Sequence, residues 1–169
     1  MKKSTIVLIV LCLLTFLLAF FSIRLSVDRS VKAIAAIGEV HYGEDCRALI
    51  DKATEDYRSL DPNPRLNLRD RIEGVETLEA AQKEYARLAI KAAAIADKRK
   101  AVEKYTDEDV KAFIDEAREV CENYFESEEA MSEVENYSEL LTLEAKYDPD
   151  AAGSAPAAPA SDTAAVPMC

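Results

Sequence analysis

The sequence predicts an all-α protein. An N-terminal transmembrane helix leads into an elongated helical bundle of two related helix-turn-helix units, which share a long central helix and end in a disordered tail. Three observations carry this expectation. An uncharged, strongly apolar run fills residues 4–23. Apolar residues then recur at intervals of three and four from Cys46 to Tyr147, the period of one helix face. The composition, with only 4 Gly, no Trp and 31% charged residues, favours helix over a turn-rich β architecture. The expected boundaries are a cytoplasmic tip and anchor over 1–25, a first unit with its connecting helix over 26–104, a second unit over 105–147 and the tail over 148–169.

The anchor comes first. Lys2 and Lys3 precede the apolar run and Arg24 closes it. Twenty residues at 1.5 Å each give about 30 Å, the thickness of a bilayer's hydrocarbon core. A core helix of a soluble protein would show a polar face, and this run shows none. A cleaved signal peptide would have a shorter apolar stretch ending in small residues. Here Phe20 and Phe21 stand at that point, so an uncleaved signal-anchor is expected. The positive N-terminal tip favours a cytoplasmic N-terminus, with the bulk of the chain outside the cytoplasm, although Arg24, Arg29 and Lys32 pull the other way.

The bundle follows. Cys46, Leu49, Ile50, Ala53, Tyr57 and Leu60 form one apolar stripe, and the "DPNPR" stretch then breaks the chain at Pro62 and Pro64. Leu68, Ile72, Val75, Leu78, Ala81, Tyr85 and Leu88 form a second stripe. With no strong breaker before Tyr105, one helix is expected over 68–104. Thr106 opens the next helix with a capping-box pattern, "TDED", and Val110, Phe113, Ile114, Ala117, Cys121 and Tyr124 mark its buried face. Ser127 is the candidate cap of a last helix, lined by Met131, Val134, Tyr137, Leu140, Leu143 and Tyr147. The tail, with Pro149, Pro156, Pro159 and Pro167 among Ala and Ser, has no apolar period and is expected to stay disordered.

The two halves echo one another. "IDKATEDY" (50–57) answers "IDEAREVC" (114–121), and "IEGVETLEAAQKEY" (72–85) answers "VENYSELLTLEAKY" (134–147). Together with "AIAAIGEV" (33–40), these segments resemble the small three-helix, FIVAR-type spacer modules of bacterial surface proteins, in particular those of Gram-positive bacteria. Those modules place an I-G-x-V turn after a short first helix, an I-x-x-A-R-x-x-Y helix next, and a V-x-N-Y-x-x-L-x-x-A-x-x-x-Y helix last. The first unit keeps Ile37, Gly38, Val40, Ile50, Ala53 and Tyr57, but departs at Thr54, Gly74 and Val75. The second keeps Ile114, Ala117, Arg118, Val134, Asn136, Tyr137, Leu140 and Tyr147. It has Cys121 for Tyr and lacks the glycine turn. The resemblance implies a spacer or surface-interaction role and no catalytic residue. A short anchor followed by an acidic helical domain is also similar in plan to LemA-type membrane proteins.

Charge narrows the partners. The net charge of −11 argues against nucleic-acid binding, which needs a basic footprint. Residues 65–104 carry ten basic against seven acidic side chains, whereas 107–150 carry three against sixteen. The acidic helices of 107–147 are therefore a candidate docking face for a protein partner, as in an accessory subunit of a membrane complex. The ordinary alternative is a solvated surface.

Recognisable chemistry is absent. No phosphate-binding glycine loop, H-E-x-x-H or C-x-x-C occurs. His41 is the single histidine; with Glu44 and Asp45 it offers three metal donors and no fourth at recognisable spacing. Catalytic residues, a cofactor, a metal and a small-molecule substrate are accordingly not expected. The expected role is structural, as a spacer or interaction protein. Cys46 and Cys121 fall on matching buried faces, and outside the cytoplasm they are candidates for a disulfide, with buried free thiols as the alternative. Cys169 ends the tail, within reach of a second chain.

Overall fold

The computed structural model describes residues 3–60 and 72–148. Among them every regular element is a helix: α1 (Lys3–Ala35), α2 (Glu44–Arg58), α3 (Val75–Glu103), α4 (Asp107–Tyr124), α5 (Glu128–Ser132) and α6 (Tyr137–Tyr147). The all-α expectation holds for these residues. The expected tail, apart from Asp148, and the position of Leu68 lie outside them.

α1 is continuous over 33 residues, about 50 Å of helix. From Leu8 to Phe21 its large apolar side chains are exposed, Phe16 at 71% for example. From Val27 its character changes. Val27, Val31 and Ile34 join the core, and Ser30 is fully buried. The Ser30 hydroxyl donates to the Asp56 carbonyl at 3.0 Å, with the Ser26 carbonyl 3.2 Å away as a second acceptor. Asp56 is near the end of α2, so α2 folds back along the last third of α1. The boundary expected after residue 25 is thus no break in the backbone.

A turn over residues 36–43 joins these helices. Ile37 is buried and Gly38 takes a left-handed φ of +64°, a conformation glycine adopts without a Cβ clash. Glu44 and Asp45 then stand in the first turn of α2, where the helix dipole favours carboxylates.

α3 starts later than expected, at Val75 rather than near residue 68. Gly74 is the reason. Its φ is +91°, and a Cβ there would stand 3.2 Å from the Ile34 Cγ2, so the chain turns sharply under α1 before the helix begins. From Val75 the helix runs 29 residues to Glu103 and ends on Lys104 with a left-handed φ of +58°. α4 turns back along α3, and α2 and α6 pack on it too. The face it offers is rich in alanine, with Ala81, Ala86, Ala89, Ala93, Ala94 and Ala96 buried around Leu78, Tyr85 and Ile90.

The capping box on α4 forms as the sequence indicates. Thr106 Oγ1 accepts from the Asp109 amide at 3.1 Å, and Asp109 Oδ2 accepts from the Thr106 amide at 2.7 Å. Ser127 caps α5 by accepting from the Ala130 amide at 3.2 Å. The single last helix expected between the Ser127 cap and Tyr147 is instead two. The Val134 amide bonds the Met131 carbonyl, and the Tyr137 amide bonds the Val134 carbonyl, both three-residue turns that interrupt the helix. This break lets Val134 and Tyr137 both reach the core, and Asn136 Nδ2 donates to the Arg87 carbonyl on α3 at 3.1 Å.

Leu140 is fully buried while its neighbour Leu141 is 37% exposed. Leu140→Ala should therefore cost about 2–5 kcal/mol and Leu141→Ala under about 1 kcal/mol, measured by chemical denaturation of the full chain in detergent. Equal losses would mean that α6 presents a different face.

Candidate interaction surface

Two arginines hold the helices in register, and all but one of their carboxylate partners come from the acidic half of the chain. Arg47 on α2 reaches Glu119 at 2.7 Å and Glu116 at 3.6 Å on α4, and Asp51 on its own helix at 3.7 Å. Around it Tyr42 donates to Glu116 at 2.9 Å, Tyr124 donates to Asp51 at 2.9 Å, and Tyr85 donates to the Gly43 carbonyl at 3.3 Å. The rings pack edge-on or tilted, Tyr42 on Tyr85 at 6.0 Å and Tyr85 on Tyr124 at 6.4 Å. Burial, followed by the adjacent carboxylates, pushes the Tyr42 and Tyr124 hydroxyls far above the usual tyrosine range. They act as fixed donors at any pH a cell reaches.

The second arginine, Arg118 on α4, makes a bidentate pair with Glu144 on α6, with Nε 2.6 Å from Oε1. The same guanidinium donates to the Tyr137 hydroxyl at 2.8 Å and reaches Glu128 at 3.3 Å. Tyr137 in turn donates to Glu128. The hydrogen-bonded Glu144 carboxylate raises the Arg118 pKa, so its charge is permanent. Burial, then the hydrogen bond to Glu128, pushes Tyr137 up to about 12.

The charge asymmetry of the sequence is largely an internal pairing. α3 supplies Lys83 to Glu133, Lys98 to Glu139 and Lys100 to Asp107, while Lys146 returns to Asp97 on α3. What is left is narrower than the whole acidic segment. The carboxylates of Glu108, Asp115, Glu122, Glu126, Glu129 and Glu135 are exposed and make no ion pair or hydrogen bond with a described residue. Glu108, Asp115 and Glu122 are seven residues apart, so they form one line along α4, about 21 Å long.

The other candidate residues are separated or occupied. His41 is exposed, with Nε2 3.1 Å from the Asp45 carboxylate, and Glu44 does not join them. The Glu39 carbonyl, and then Asp45, raise the His41 pKa above 6.5. No group of three or more His, Cys, Asp or Glu side chains placed to hold a metal occurs among the described residues. Cys46 and Cys121 are each buried and each a free thiol. Burial raises the Cys121 thiol to about 11, which keeps it protonated and unreactive near neutrality. A cleft of about 440 Å³ lies between α2, α3 and the α4–α5 turn. On its floor the buried Gln82 amide donates to Thr54 Oγ1 at 2.8 Å, and Lys83 and Glu133 at its rim bond each other.

Sequence reasoning missed Arg47 and the Thr54–Gln82 pair. Neither belongs to a periodic pattern, since each is a polar residue beside an apolar stripe. Arg118 was noticed as a resemblance position without its partners. Its i+3 and i+4 neighbours give no hint of Glu144, which is 26 residues away.

The chain matches no family model, no curated protein and no solved structure.

Two predictions follow from these geometries. A double-mutant cycle on Arg118→Met and Glu144→Gln should return a coupling of about 1–3 kcal/mol, between the values for an exposed and a buried pair; a coupling near zero would mean the pair does not position α6. For His41, a raised folded-state pKa means that its attraction to Asp45 is fully present below 6.5 and fades as pH rises through the folded value. The NMR titration midpoint of His41 should therefore exceed 6.5 and fall back towards it in Asp45→Asn.

Proposed function

We propose that this chain is a single-pass, membrane-anchored helical protein, with its N-terminus in the cytoplasm and its bundle outside, that serves a structural, spacer or protein-interaction role. The observation that supports this most is the naked apolar surface of α1. Leu8–Ala35 contains a stretch of mean hydropathy 2.6 that is long enough to cross a bilayer, with no residue of that stretch buried against the protein. Leaving a Leu, Phe or Ile side chain in water forfeits about 1.5–3 kcal/mol. Leu8, Leu11, Leu14, Phe16, Leu18 and Phe21 are all at least half exposed. Their combined cost in water matches the whole net stability of an ordinary domain, about 5–15 kcal/mol. A bilayer removes that cost. The spacer element draws on the small-helical-module resemblance and on the echo between the two halves.

A second reading is favoured by the line of Glu108, Asp115 and Glu122. Three unpaired carboxylates on one edge of α4, in a fold that pairs most of its charges, fit a basic surface on a partner subunit. Crosslinked pull-down from membranes should then yield one stoichiometric partner with the parent chain and none with Glu108→Gln/Asp115→Gln/Glu122→Gln. Absence of a partner with either chain favours the spacer role.

The anchored reading is tested by fractionation and labelling. The chain should stay in the membrane pellet through an alkaline carbonate wash. In intact cells an impermeant maleimide should label Cys169 and leave the buried Cys46 and Cys121 untouched. Release by carbonate rejects the anchor, and labelling of Cys169 only after lysis reverses the orientation. After full denaturation without reductant, Cys46 and Cys121 should both label, which a disulfide between them would prevent.

A further inference from the structure

The cations nearest the apolar run are the ones the fold leaves unused. Among the described Lys and Arg residues beyond that run, all but four have a polar or charged partner in the protein. The four are Arg24, Arg29, Lys32 and Lys104. Three of them occupy residues 24–32, directly after Ile23. In a chain with net charge −11, carboxylates are plentiful, so unpaired cations clustered at one place need a counter-charge from elsewhere.

Their reach covers the zone of lipid headgroups. α1 continues unbroken, so Arg24 stands about 1.5 Å, Arg29 about 9 Å and Lys32 about 13.5 Å past the last apolar residue of the run. The headgroup zone extends roughly 5–7 Å beyond the hydrocarbon, and arginine and lysine stems lean toward the N-terminus of a helix and can lie along it, which brings their charges down towards that level. Leu25, 64% exposed, sits at the same level with its side chain available to the acyl boundary.

α2 completes the surface. Because it folds back on α1, the two helices enclose a groove of about 480 Å³ that opens beside Leu25. Arg29, Lys32 and Lys52 stand along it, and Ala33 and Leu49 give it an apolar floor. Lys52 is held 3.5 Å from Asp56, and Asp28 is the one acid among the free cations of α1. The excess on residues 24–32 remains positive.

We propose that this collar, Arg29 and Lys32 with Arg24 below them, is a docking surface for the headgroups of anionic phospholipid in the adjoining leaflet. The proposal rests on the anchored reading. The lipid phosphate supplies the counter-charge that the fold withholds, and the groove accommodates the glycerol portion of a headgroup lying against the α1–α2 seam.

The test uses the full chain in nanodiscs of phosphatidylcholine with phosphatidylglycerol as the minor lipid. After mild detergent extraction, the lipids that stay bound are quantified by native mass spectrometry. Phosphatidylglycerol should be retained above its bulk share. Arg29→Gln/Lys32→Gln should lower that retention by about fivefold per charge removed, while Lys91→Gln/Lys104→Gln leaves it unchanged. Retention at the bulk share, or the same loss in both pairs, overturns the collar and leaves the anchor standing. A chain that does not enter the discs overturns both. Displacement of the lipid by excess inorganic phosphate would assign the site to a soluble anion and overturn the lipid proposal.

Discussion

The bundle is arranged around how closely its helices can approach α3. Much of the buried face of α3 is alanine: Ala81, Ala86, Ala89, Ala93, Ala94 and Ala96 are all buried, set around the large side chains Leu78, Tyr85 and Ile90. Further large side chains come from its neighbours, Val110 and Ile114 on α4 and Leu140 and Leu143 on α6. This division is economical, because burying alanine loses no rotamer entropy while the opposing residues fill the space. It is also strict. Added bulk on α3 would push α4 and α6 off together, since both rest on the same helix.

Close approach alone leaves helices free to slide, and the charged pairs remove that freedom. Arg47 fixes α2 against α4, and Arg118 fixes α4 against α6. Both guanidiniums are mostly covered and both have several partners, so each is worth more than an exposed pair. The lysines of α3 then meet the acids of the later helices at the rim. The acidic character of the second half is thus mainly the complement of the basic α3, and what is left over lies along one edge of α4 and around α5.

The sequence made the helices legible because their apolar spacing is regular, and it made the Thr106 cap legible because capping is local. On α4 the expected positions Val110, Ile114, Ala117, Cys121 and Tyr124 are buried, whereas Phe113 is half-buried and Val120, outside the expected set, is buried. Two boundaries did not. Gly74 reads as an ordinary residue within a helical stripe until its contact with Ile34, 40 positions away in sequence, is known. The break before Tyr137 is hidden because Met131, Val134 and Tyr137 keep helical spacing while turns of three replace turns of four. The pairings of the candidate surface were illegible for the same reason. Arg118 with Glu144, and Arg47 with Glu119, join residues 26 and 72 positions apart. The echo between 72–85 and 134–147 is also less symmetric in space than in letters. Tyr85 is buried mid-helix between Tyr42 and Tyr124, whereas Tyr147 closes α6 and donates to Asp97 at its edge.

The unbroken passage of α1 from its apolar stretch into the bundle has a mechanical meaning. A flexible tether would let the bundle point anywhere above a bilayer. In the anchored arrangement proposed above, a continuous helix instead couples the orientation of the bundle to that of the span. Each residue of helix turns the chain by about 100° and advances it 1.5 Å. The compass direction faced by the carboxylate line of α4 is therefore set by the number of residues between Phe21 and Val27. Tilting the span in a thicker or thinner bilayer would swing the far end of α3 through an arc several times larger than the tilt produces at the surface. In that arrangement membrane thickness would act, through this one helix, on where the bundle points.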